Sequence, residues 1–132
     1  MLCQYPSDLP DVTLQTVCSM HTHGVRGAGL GVVPTPTGIA LTGEIDAANE
    51  KVLRGFLRSA TASKGRSRDP FVVDMSGLTF LDASGARALL AGTKASRITG
   101  GSVCLRSPQP RVARVLRILG MGRVEGILIE TL

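Results

Sequence analysis

An acidic residue and a serine mark the place in this chain where chemistry is most concentrated. The segment LTFLDASGARALL runs from Leu78 to Leu90. It sets Asp82 and Ser84 where an apolar run gives way to helical spacing, at a strand-to-helix junction. The first N–H groups of a helix have no partner within it, and the helix dipole is positive there. A phosphate on Ser84 would meet those donors rather than repulsion. It would also add about −1.5 to −2 charges to the surface while the fold stays as it is. The same residue types serve as plain helix caps, and taken alone the residue physics favours capping.

Other candidates carry less. His21 and His23 stand two apart in a Gly-rich stretch, but no Cys or carboxylate cluster lies near them in sequence, so no metal site is expected. Cys3, Cys18 and Cys104 are scattered, odd in number and match no metal spacing. They read as reduced thiols, with Cys104 a small buried hydrophobe. The chain has no GxxxxGK[ST] loop and no GxGxxG fingerprint. Its GAGLG precedes a strand, where a dinucleotide site needs it after one. No serine of the folded part has a histidine to activate it. These patterns predict no catalytic residues, no cofactor and no enzyme.

The elements that must position Asp82 and Ser84 follow from composition and periodicity. A chain of 132 residues, 43% hydrophobic, has room for one domain with a core. With one Tyr, three Phe and no Trp, that core must be aliphatic. No apolar run is long enough to span a bilayer. The opening MLCQYPSDLP lacks the basic and apolar blocks of a secretory signal, which predicts a cytoplasmic protein with no membrane contact. The formal net charge is +5. The basic residues are scattered between Arg54 and Arg123 with no aromatics to stack bases, so direct nucleic-acid binding is not expected. The charge reads as a solvated surface, part of which could meet an acidic partner.

Residues 1–29 form an N-terminal extension, with a short helix predicted over Leu9–Met20 and a Gly-rich linker, HGVRGAGLG, after it. LGVVPT is then a strand that Pro34 pushes to a sheet edge. IALTGEI is a second strand, antiparallel to the first. Asp46 can cap a helix whose apolar stripe is Val52, Leu53, Phe56, Leu57 and Ala60, with Glu50 and Arg54 paired on the exposed side. FVVDM is a buried strand, and SGLTFL leads from it to Asp82. The second helix turns Ala86, Leu89, Leu90 and Thr93 inward and Arg87, Lys94 and Arg97 to water; TGG closes it. SVCLRS is a strand. Ser107 caps a third helix with Pro110 in its first turn and Val112, Val115, Leu116 and Leu119 on its buried face. Gly120 or Gly122 ends that helix, and GILIETL is the last strand. The order β-β-α-β-α-β-α-β predicts an α/β fold. Its mostly parallel mixed sheet has about five strands, an N-terminal antiparallel hairpin and three main helices.

GEIDAANE, followed by FVVDMSGLTFLDASGARALL, resembles the two signature segments of the STAS family, the domain shared by sulfate transporters and anti-sigma factor antagonists. Their order and separation fit, and the resemblance covers residues 30–132. It implies the STAS fold and identifies Ser84 as the phosphorylation site, with Asp82 the acidic residue before it and Asp46 the aspartate of the first motif. It further implies an anti-sigma factor antagonist. Unphosphorylated, such a protein binds an anti-sigma factor that is also a serine kinase, which frees a sigma factor. Phosphorylation ends the interaction and a PP2C-type phosphatase resets it. The partner surface would comprise Asp46, Asp82, Ala83, Ser84, Gly85 and Arg87, on a monomer or weak dimer. The alternatives are a STAS scaffold or a nucleotide-sensing module that binds another signalling partner. The N-terminal residues LCQY and LPDVTLQTVCSMHTHGV resemble the tail of a DcmR-type sensory domain, and otherwise read as a disordered arm or as the effect of a start codon placed inside a longer gene.

Overall fold

The computed structural model describes residues 29–64 and 69–131. The helix expected over Leu9–Met20, His21, His23, Cys3, Cys18 and most of the Gly-rich linker lie outside the described residues.

The described part follows the expected order: β1 Leu30–Thr35, β2 Gly38–Ile45, α1 Glu50–Lys64, β3 Phe71–Leu81, α2 Ala83–Ile98, β4 Val103–Arg106, α3 Pro110–Ile118 and β5 Ile127–Glu130. A single 3₁₀ turn at Met121–Arg123 precedes β5. The five strands lie in sequence order across one sheet. β1 pairs with β2 antiparallel, and every later pair is parallel. Pro34 lacks an N–H, and β1 is indeed an edge strand. The largest fully buried side chains are aliphatic or Met, among them Ile39, Leu41, Ile45, Leu53, Leu57, Met75 and Leu105.

β3 is longer than the apolar run that announced it. It continues through SGLTFL as one strand of 11 residues. Its register against β2 shifts twice, between Ala40 and Thr42 and again between Gly43 and Glu44. Each shift gives β3 an extra residue, and one extra residue turns the following side chains to the other face. The second shift restores the alternation, so Ile45 and Leu81 meet as register partners, both buried. At the first irregularity Asp74 Oδ1 accepts from the Ser76 N–H at 3.0 Å and from its hydroxyl at 2.8 Å.

The helices differ from expectation at their margins. Glu50 and Arg54 form their i,i+4 ion pair at 3.3 Å. Val52, however, is exposed; Thr61 joins the buried face instead, its hydroxyl satisfied by the Leu57 carbonyl at 2.8 Å. α1 and α2 approach closely at Gly92, where an added Cβ would lie 2.6 Å from Leu57 Cβ. α2 ends as TGG predicts: Gly100 N–H donates to Arg97 O and Gly101 N–H to Ser96 O, with Gly100 at φ 97°.

Further expectations need correction. Ser107 is not the cap of α3. Gln109 holds that place without a side-chain bond, and Pro110 follows it in the first turn. Ser107 has a left-handed φ of 55°, and its N–H donates to Glu130 O, so it is committed to the end of the sheet. Leu119 is exposed because it is the C-cap residue beyond the last helical turn; Gly120, at φ 73°, then turns the chain away. Arg97 is not simply solvated. Its guanidinium reaches Leu90 O at 2.7 Å, Glu125 O at 3.5 Å and Thr93 Oγ1 at 3.1 Å. Its methylene stem lies over Gly126, an instance of a long cation that buries its stem.

Candidate functional site at the carboxyl edge of the sheet

Ile45 and Leu81 are the last residues of β2 and β3 and face each other in register. Asp46 and Asp82 follow them, so the two motif loops leave the sheet side by side. Ligand and partner sites of parallel α/β sheets commonly sit at this edge.

Gly85 is where the two motifs touch. It is buried in the first turn of α2. A Cβ there would lie 2.5 Å from Leu81 Cδ1 and 2.8 Å from Ile45 Cγ2. The glycine of DASG therefore lets α2 start directly against the end of β2.

Asp82 is the N-cap of α2. Its backbone is extended, at φ −111° and ψ −173°, and its Oδ1 accepts the Gly85 N–H at 3.0 Å. Ser84 sits in the first turn, half-buried, with Ala83 and Arg87 exposed on either side. With the cap supplied by Asp82, the Ser84 hydroxyl makes no hydrogen bond among the described residues. Capping was the stronger reading of both residues from type alone, and the structure gives that role to Asp82 only. Asp82→Ala should cost about 1 kcal/mol through loss of the cap, read as a fall of several degrees in Tm; an unchanged Tm would remove Asp82 from this role.

Asp46 does not cap α1. Its Oδ1 accepts the N–H of Ala48 at 2.9 Å, inside a turn that precedes the helix. Asn49 organises that turn, a role the sequence reading missed. Its Oδ1 accepts the Asp46 N–H at 3.0 Å, and its Nδ2 donates to Glu44 O at 3.0 Å. Asn three residues after Asp, just before an apolar stripe, was the available signal. Phe80 was also missed. It counts as one more apolar strand residue in sequence, yet it is 41% exposed and lies in register with Glu44 near the site.

Cys104 is free, buried and placed in mid-strand, in register with Val72 and Leu128. Burial pushes its thiol up, Glu130 adds to this, and Arg106 opposes it. A protonated, buried thiol is a packing group. Among the described residues there is no group of three or more His, Cys, Asp or Glu that could hold a metal ion. No helix of the described residues is long and apolar enough to cross a membrane.

These features define a class: an α/β domain with a mixed five-stranded sheet, two acidic loops at its carboxyl edge and a glycine-seated helix start. The chain belongs to the STAS family: the family model described as "Mlab, STAS domain" matches residues 28–130. Two relatives come from Mycobacterium tuberculosis. Rv2638, which carries the assignment anti-anti-sigma factor, is 35% identical over 82 residues, 62% of this chain and 55% of that protein. The anti-sigma-F factor antagonist RsfA is 34% identical over 82 residues, 62% of this chain and 63% of that protein. The matched segment thus spans between about half and two thirds of each relative's length. Among solved structures, that of the anti-sigma factor antagonist SpoIIAA in its unphosphorylated form matches with a TM-score of 0.58. It is 20% identical, over 77% of this chain and 88% of that one, and supports the fold.

Proposed function

We propose that this protein is an anti-sigma factor antagonist, a protein-binding switch rather than an enzyme. In the unphosphorylated form it binds an anti-sigma factor that is also a serine kinase, and so frees a sigma factor. Phosphorylation of Ser84 ends that interaction, and a PP2C-type phosphatase restores it. The names of the relatives Rv2638 and RsfA support the antagonist role. The observation that carries the switch is the division of labour at the start of α2. Asp82 takes the cap and leaves the Ser84 hydroxyl uncommitted beside an exposed surface. A phosphate there would sit against the positive end of α2, so the domain could keep its fold while its partner face changes sign. Exposed Ala47, Ala48, Phe80 and Ala83 flank the two aspartates along the chain and would supply apolar contact area for a partner.

The test is a phosphorylation assay with the cognate kinase and ATP. Wild type should take up phosphate on Ser84, and Ser84→Ala should take up none. Equal labelling of the two would move the modification elsewhere.

A second reading, a STAS scaffold for another signalling partner, is favoured by the matched family model, whose description names Mlab rather than a sigma-factor regulator. A pull-down that recovers a different partner and no sigma-regulating kinase would select it. Calorimetry with GTP and ATP decides the nucleotide-sensing variant of that reading.

A further inference from the structure

Beside the proposed switch, α1 and α2 leave a groove whose floor is Leu90, Ala91 and Val124. These three side chains are only partly buried. The rim is basic, made of Arg54, Arg87, Lys94 and Arg97. Its one acid, Glu50, is already paired with Arg54. Arg97 is held by backbone carbonyls and by Thr93. Arg87 and Lys94 are exposed and, among the described residues, have no acidic partner. Ser84, Arg87, Ala91 and Lys94 follow one another at spacings of three, four and three, so they share one stripe of α2. The groove therefore lies on the same stripe of α2 as Ser84, beginning one turn beyond it at Arg87.

We infer that this groove is the docking site for an acidic, amphipathic segment of the protein partner. An apolar floor whose rim carries two cations without an acidic partner, Arg87 and Lys94, fits a segment with apolar and carboxylate side chains on one face, which would bury the first and pair the second. The inference rests on the proposal that the domain binds a protein partner, but not on the phosphorylation of Ser84. It assigns Arg54, Leu90 and Lys94 to the partner surface, beyond the loop residues of the two motifs.

Two measurements test it. The first is an NMR titration of the full chain with a synthetic peptide of about 15 residues carrying Glu and Leu at helical spacing. The amides of Arg54, Leu90, Ala91 and Lys94 should shift, and the peptide with every Glu replaced by Lys should leave them in place. Shifts confined to other regions, no shifts, or equal response to both peptides would overturn the docking site. Shifts abolished only by deletion of residues 1–28 would also overturn it, since the occupant's contact would then be the chain's own N-terminal segment. The second is the affinity for the cognate kinase of the Arg87→Glu/Lys94→Glu double variant. It should fall at least about tenfold, with wild-type binding weakening as salt rises. Unchanged affinity with a wild-type melting curve would contradict the groove. If Ser84→Asp abolishes binding while the double variant does not, the switch stands and the groove falls; the opposite pattern removes the switch and keeps the groove.

Discussion

Gly43→Val will destabilise the domain by about 2–6 kcal/mol, the sum of backbone strain and overpacking. Gly43 has φ 91°, a region that β-branched residues avoid. An added Cβ would lie 1.9 Å from the carbonyl oxygen of Gly29, which accepts the neighbouring Glu44 N–H at 3.3 Å. Backbone blocks the side chain on that side, so no rotamer relieves the clash. Against a total stability of about 5–15 kcal/mol, the loss is large. Thermal unfolding should show a Tm lower by roughly 10 °C or more, or no cooperative transition. Gly55 is the control. It lies in α1 with open space around its Cα. Gly55→Ala should raise stability by roughly 0.5–1 kcal/mol through helix propensity. If Gly43→Val melts like wild type, the end of β2, where β3 bulges against it, is not built as described. The glycine of GEID is thus explained by the backbone it permits.

Ser84→Asp will weaken binding to the cognate anti-sigma kinase roughly 100-fold, which corresponds to about 3 kcal/mol. A carboxylate placed in the first turn of α2 is compatible with the helix dipole, so the fold should survive. Its partner face, by contrast, would carry a charge that must be desolvated or repelled on contact. The melting curve should stay within a few degrees of wild type while affinity collapses. Loss of both together would make the effect one of folding. Unchanged affinity would remove Ser84 from the interface.

Much of the fold was legible because its signals are local. Pro34 announces an edge, TGG a helix end, and the alternation of strands and helices a parallel sheet. The misses have physical causes. β3 ran on past FVVDM because two register shifts break the period-two pattern that a strand is read by. Thr61 was passed over because a hydroxyl looks polar, although in a helix it can bond the carbonyl four residues back. Leu119 was projected onto a helix that had already ended. Arg97 looked solvated because its charge was visible and its carbonyl partners, brought by the fold, were not.

The site was legible in part. The order of GEID and DASG located Asp46, Asp82 and Ser84, but not which of them caps which helix. The contact that joins the motifs, Gly85 against Ile45 and Leu81, depends on the register of two strands 36 residues apart, which no local pattern reveals. Phe80 and Asn49 belong to the same edge for the same reason.

The most direct test of the switch is the affinity of the cognate anti-sigma kinase for this protein before and after stoichiometric phosphorylation of Ser84, measured by calorimetry. The account predicts a complex with the unphosphorylated form and an affinity at least about 100-fold lower after modification. Equal affinity of the two forms would contradict it.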